Sequence, residues 1–170
     1  MITFKIAKIK DADMISTLVN SAYRGESSKA GWTTEADLLG GQRTDAEKIR
    51  QMIATDRIEL AFHHDELVGC VYLRMESEAL YFGMLTIRPT LQNNGLGKLL
   101  LKRVDEIARE LRLKKIRMTV INSRYELIQF YERRGFIWNG QSEPFPENDP
   151  SFGIPKTKLI FHVFEKILSE

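Results

Sequence analysis

One cysteine, three histidines and five prolines are all that this chain of 170 residues holds of those three residue types. Cys70 lies in the apolar run Leu67 to Leu73, so no internal disulfide can form. A buried, inert thiol and a reducing compartment, the cytoplasm, are expected. His63, His64 and His162 share no metal-ligand spacing with one another or with Cys70, so no metal is expected. No apolar stretch approaches the roughly 18 residues of a membrane span, and the opening MITFKIAKIK lacks the layout of a signal peptide. Neither sign of charge dominates: the net charge is +2 and the pI about 8.6, too mild for a nucleic-acid partner. Internal repeats, low-complexity tracts and interdomain linkers are also missing, which leaves one domain over residues 1–170. What is present is 43% apolar and 28% charged residues, the balance of a globular protein held by ordinary burial.

Periodicity supplies the elements. Thr3 to Ile9 alternates as a strand, and Asp11 is placed to cap a helix whose face carries Met14, Ile15, Leu18, Val19 and Ala22. Arg24 to Arg43 reads as a loop with a short helix inside it. Thr44 and Glu47 have capping-box spacing ahead of a helix to about Ala54. Arg57 to His63, Leu67 to Met75 and Ala79 to Ile87 form an antiparallel meander, stopped by Pro89. Leu100, Val104, Ile107 and Leu111 then recur at helical spacing. Lys115 to Ile121 is a β-branched strand. Ser123 is placed to cap a helix that ends at Gly135, a residue suited to the left-handed position after a helix. Phe136 to Trp138 is a further strand, the proline-rich stretch from Pro144 to Pro155 a loop, and Thr157 to Lys166 the closing strand. The order predicts a mixed α/β sandwich.

The chemistry concentrates in Leu85 to Leu101, LTIRPTLQNNGLGKLLL. A strand, a glycine-bearing turn and an amphipathic helix together make a phosphate cradle, because glycine lets the backbone approach and the helix N-terminus offers unpaired N–H groups and a favourable dipole. A Walker A loop is disfavoured, since Gln92 and Leu99 occupy positions that need Gly and Ser or Thr. A dinucleotide fingerprint is disfavoured by Leu100 and by the meander upstream. Glycines that merely start a helix remain the structural alternative.

Gln92-Asn93-Asn94-Gly95-Leu96-Gly97, preceded by Leu85-Thr86-Ile87-Arg88-Pro89, resembles the signature of the GNAT superfamily of N-acetyltransferases. Asn122 followed by Phe130-Tyr131-Glu132-Arg133-Arg134-Gly135-Phe136 is similar to that family's second motif, and the element order agrees from Thr3 to Lys166. The resemblance implies a mostly antiparallel sheet flanked by helices, in which the strands around Leu85 and Val120 run parallel and splay apart. It implies acetyl-CoA as co-substrate in that gap, its pantetheine against Leu85 and Ile87 and its pyrophosphate on the N–H groups of Gln92, Asn93, Asn94, Gly95, Leu96, Gly97 and Lys98. Asn122 would face the cofactor arm and Tyr131 its sulfur. An acceptor amine, of a small molecule or a protein, and a homodimer are further expectations.

Thioester aminolysis states what such a site needs. Negative charge builds on the thioester oxygen, for which a backbone N–H near Leu85 is the donor, and the leaving thiolate needs a proton, for which the Tyr131 phenol is suited. A core aromatic is the plainer role for Tyr131. The strand Ala79 to Ile87 lacks the acidic residue that many GNAT proteins carry there, so the base stays unassigned among Glu76, Glu78, Glu35, Asp37 and water. For the acceptor, Arg24 and Arg43 are candidates to clamp a carboxylate, Trp32 to form a wall and Glu35 to hold an ammonium. An ordinary helix start at Thr33 or Thr34 explains the same stretch equally well. A catalytically silent acyl-CoA-binding module is the competing functional class.

Overall fold

The computed structural model describes residues 1–23, 39–40, 43–92, 94–144, 154–155 and 159–169, with 39–40 and 154–155 described through their backbone. Strands β1 (Ile2–Ile6), β3 (Arg57–His63), β4 (Glu66–Met75), β5 (Ala79–Ile87), β6 (Lys115–Ile121), β9 (Ile160–Ile167) and β7 (Ile137–Pro144) form one sheet, adjacent in that order. β2 (Leu39–Gly40) and β8 (Ile154–Pro155) make a separate antiparallel pair. Within the large sheet only β5 and β6 are parallel; the other pairings are antiparallel.

Helices α1 (Ala12–Tyr23) and α2 (Ala46–Thr55) cover one face, burying Ile15, Val19 and Ile49 against Leu60, Cys70 and Met84. Helices α3 (Leu96–Glu110) and α4 (Tyr125–Glu132) cover the other, where Leu100, Val104 and Tyr131 meet Phe82, Met118 and Val120. Each helix presents one apolar stripe, so the two-faced sheet is what makes both stripes buriable. Cys70 is fully buried and desolvation pushes its thiol up to about 12, an inert state.

Several boundaries differ from the sequence expectation, each for a local reason. Asp11 ends a short 3-10 turn and its carboxylate accepts from the Lys8 N–H at 2.9 Å, so it does not cap α1. Thr44 is not the cap of α2 because Asn20 already holds its backbone, the Asn20 amide donating to the Thr44 carbonyl at 2.9 Å and its oxygen accepting from the Thr44 N–H at 3.0 Å. Asp45 takes the role, accepting from the Lys48 N–H at 2.8 Å. Ser123 does not cap α4 either; the helix follows Arg124, whose N–H donates to the Ile121 carbonyl at 3.0 Å. β7 runs on past Trp138 to Pro144, paired to β9 around an irregularity between Trp138 and Ser142. The expected interior of the loop from Arg24 and most of the Pro144 to Pro155 stretch lie outside the described residues.

Candidate active site

The parallel pair β5 and β6 stays in register only over Ala79 to Tyr81 and Lys115 to Arg117. Beyond that the strands part while each continues, β5 to Ile87 and β6 to Ile121. β5 also bulges: Cys70 pairs with Thr86 and Tyr72 with Gly83, which leaves Met84 and Leu85 opposite the single residue Val71. Met84 takes up the extra length with a left-handed φ of 54°. Bulging and parting together open a cavity of about 390 Å³, walled by Leu85, Val120, Tyr131, Tyr23, Arg43 and Glu143, among others. Its lining comes from both faces of the sheet. Tyr131, Met118 and Val120 belong to the core under α3 and α4, whereas Tyr23 ends α1 and Met84 packs with the α1 and α2 side. The gap is therefore a passage through the sheet.

Tyr131 is 6% exposed and sits edge-on to Phe130 and Phe136, with ring centroids 5.3 and 5.8 Å away. Desolvation pushes its phenol well above the ordinary value, so the group is protonated at neutral pH. It is thus both the core aromatic and a wall of the cavity. The turn after α4 fixes it: the Phe136 N–H donates to the Tyr131 carbonyl and the Gly135 N–H to that of Glu132, both at 3.1 Å, with Gly135 left-handed at φ 93°. On the opposite wall the Tyr23 hydroxyl donates to the Leu85 carbonyl, tying α1 to the bulge.

Next to the gap, the signature turn and α4 line a second cavity of about 430 Å³, with Gly95, Gly97, Lys98, Arg133 and Arg134 on its wall beside Ile87 and Gln92. Gly95 is the residue before α3, left-handed at φ 80°, with no side-chain cap. The first intrahelical bond is from the Leu99 N–H to the Gly95 carbonyl at 3.1 Å, so the N–H groups of Leu96, Gly97 and Lys98 have no partner within the helix. A Cβ on Gly97 would stand 3.2 Å from the Phe130 ring, so that glycine also sets the approach of α3 to α4. Gln92 braces the turn, its side-chain amide donating to the Ile87 carbonyl at 3.1 Å and its own N–H reaching the Pro89 carbonyl at 3.5 Å. Unpaired amides, a helix N-terminus and three cations suit a polyanion such as a pyrophosphate.

The sequence-derived residues divide accordingly. Leu85, Tyr131 and Arg43 come together in the gap, and Ile87, Gln92, Gly95, Gly97 and Lys98 in the adjoining cavity. Asn94 and Leu96 belong to the turn but line neither cavity. Asn122 lines neither as well; its N–H donates to the Ile160 carbonyl at 2.9 Å. Asn93, Arg24, Trp32 and Glu35 lie outside the described residues. Of the candidate bases, Glu76 is engaged by Arg117 at 2.8 and 3.0 Å, and Glu78 stands 3.6 Å from Lys114; neither lines the gap. Tyr23, Arg124 and Glu143 do line it and carried no sequence signal, Glu143 because β7 reads as ending at Trp138.

The model of the Acetyltransferase (GNAT) family matches residues 13–136, a stretch that contains the bulged strand, the glycine turn and the Tyr131 helix. The chain belongs to the GNAT acetyltransferase family. Among solved structures, an N-acetyltransferase from Staphylococcus aureus Mu50 superposes with a TM-score of 0.74 at 13% identity, over 98% of this chain and 97% of that one. A GNAT family acetyltransferase from Elizabethkingia anophelis with acetyl-CoA bound gives 0.60 at 21% identity, over 72% and 82%. At such identities the likeness is one of fold. The uncharacterized protein YxbD of Bacillus subtilis (strain 168) is 26% identical over 72 residues, which spans 42% of this chain and 44% of that protein.

Proposed function

We propose that this GNAT protein transfers the acetyl group of acetyl-CoA to a primary amine, with its thioester held in the gap between β5 and β6. The observation that carries this reading is the passage itself: a glycine-cradled helix N-terminus on one side, a protonated buried phenol at the middle and an open polar wall on the other. The residues fit the cofactor's shape and charge. Leu96, Gly97 and Lys98 offer amides, and Arg133 and Arg134 cations, to a pyrophosphate. The edge of β5 beyond Tyr81, no longer paired to β6, would offer its backbone groups to the pantetheine arm. Bound acetyl-CoA supplies the activated thioester.

The amine nitrogen attacks the thioester carbon from the α1 and α2 side, and the bulge gives the developing oxyanion a backbone N–H near Leu85. As the C–S bond breaks, Tyr131 gives its proton to the leaving sulfur. The attacking nitrogen loses its extra proton to water, and the phenol recovers its own from water. Cytoplasmic residence accords with a lone, buried thiol. The decisive variant is Tyr131→Phe, which keeps the ring packing and removes the acid. A loss of ~10²-fold in kcat with acetyl-CoA affinity retained is expected. Full kcat under conditions where chemistry limits the rate would refute the role.

A further inference from the structure

On the α1 and α2 side of the gap the charges are arranged in an unequal way. Arg117 points its guanidinium at Glu76, through two hydrogen bonds, and Arg74 adds a third at 3.3 Å. These three groups answer one another and clasp the Tyr81 ring, with Arg74 4.4 Å and Arg117 5.0 Å from its centroid. Three charged side chains line the cavity, Arg43, Arg124 and Glu143. Glu143 is exposed and forms a long ion pair with Arg117 at 3.6 Å, which leaves its carboxylate open to solvent and the cavity. Arg43 has no carboxylate of the described residues within the 4.0 Å of an ion pair.

Arg43 is nonetheless held in place. The Asn20 side-chain oxygen accepts from the Arg43 N–H at 2.7 Å and from the Thr44 N–H at 3.0 Å, fixing the backbone. The guanidinium lies 5.5 Å from the centroid of the Tyr23 ring, and the Tyr23 hydroxyl is on the Leu85 carbonyl. A planar, preorganised cation is thus anchored one side chain away from the bulge where acetyl transfer is proposed. A carboxylate is the partner its fork geometry fits best. Glu143, from the far wall, gives an approaching ammonium a counter-charge before it is deprotonated. The cavity, at about 390 Å³, has room beside a thioester end for an acceptor of amino-acid size.

We infer that the acceptor is a small amino acid or close derivative, an amine bearing a carboxylate, with Arg43 binding the carboxylate and Glu143 drawing in the ammonium. This inference rests on the acetyltransferase reading above. Asn20 is a positioning residue, since it acts through the Arg43 backbone.

The test is thiol release from acetyl-CoA by the purified full chain, using matched sets of free amino acids, their carboxamides and their decarboxylated amines. At least one amino acid is expected to exceed both counterparts by about tenfold or more in kcat/KM, the scale of a charge-assisted pair. The carboxamides have the less basic amine, so a simple reactivity trend would run the other way. Arg43→Ala should collapse that ratio toward one by raising KM for the amino acid, and Arg43→Lys should restore part of it. If carboxamides or plain amines serve as well as amino acids, or Arg43→Ala lowers all three alike with acetyl-CoA affinity intact, the inference fails while the acetyltransferase reading stands. If no amine of any class supports thiol release, the reading itself fails first. Should Arg43→Ala not fold, the wild-type panel and Arg43→Lys still decide.

Discussion

Glu76 accepts two hydrogen bonds from Arg117, and these hold its carboxyl below the usual carboxylate range. A folded-state pKa depressed in this way stabilises the protein fully above the unfolded value of about 4.3, and the contribution fades as pH falls through the folded value. Glu76→Gln should therefore lower the urea midpoint near neutral pH, with the gap to wild type closing in acid. A gap that stays constant down through the acid range would contradict the pairing. This residue reads in the sequence as a turn carboxylate, because its partner Arg117 lies 41 positions away. Glu59 hides for the same reason: it is 1% exposed inside β3 and satisfied by Arg103 at 2.7 Å and Arg57 at 3.1 Å. Tyr131, by contrast, stands in a motif the sequence displays, and its place in the cavity wall, packed between Phe130 and Phe136, suits both a core aromatic and the proposed acid.

At the scale of elements, glycine positions were read well and caps poorly. Gly135 is left-handed at φ 93°, as its place after a helix suggests, and Gly95, legible as part of the glycine-bearing turn, is left-handed at φ 80°. The caps at Thr44 and Ser123 failed because capping competes with tertiary contacts that sequence spacing cannot see, Asn20 on Thr44 being the plainest case. Two variants test the glycines. A Cβ on Gly135 would meet nothing closer than Lys166 at 3.5 Å, so Gly135→Ala isolates the backbone term. It should cost about 1–2 kcal/mol in chemical unfolding, and no change would show that the turn tolerates a side chain. A Cβ on Gly95 meets nothing within 4 Å, so Gly95→Glu carries only the left-handed backbone cost of about 1–2 kcal/mol and places a carboxylate beside the cavity. Calorimetry is expected to show acetyl-CoA affinity reduced by at least about tenfold, as a like charge replaces an open anion site. Unchanged affinity would move the pyrophosphate elsewhere.

Across the whole molecule, the seven-stranded sheet is interrupted functionally at one place, the parallel pair that loses register after Tyr81. The strands of the large sheet and their order along the chain are readable from periodicity, whereas the short pair β2 and β8 falls in stretches that read as loops, and the parting of β5 from β6 is implied by the family resemblance. The bulge at Met84 was not readable, because an extra residue inside a run of nine apolar and small residues leaves no mark in the pattern. The wall supplied by β7 was equally hidden, since Glu143 comes from a stretch that reads as lying beyond the strand's end at Trp138, whereas Arg43 is among the residues the sequence singles out. No helix among the described residues is long and apolar enough to cross a membrane. The central claim is that this passage brings a thioester and an amine together for acetyl transfer. Its most direct test is steady-state release of the coenzyme A thiol by the purified protein, measured with and without an amine panel, with the acceptor's mass followed in parallel. The account predicts amine-dependent release matched by an N-acetylated product. Tight acetyl-CoA binding with no amine-dependent release and no product would contradict it, and would leave a protein that holds the cofactor without using it.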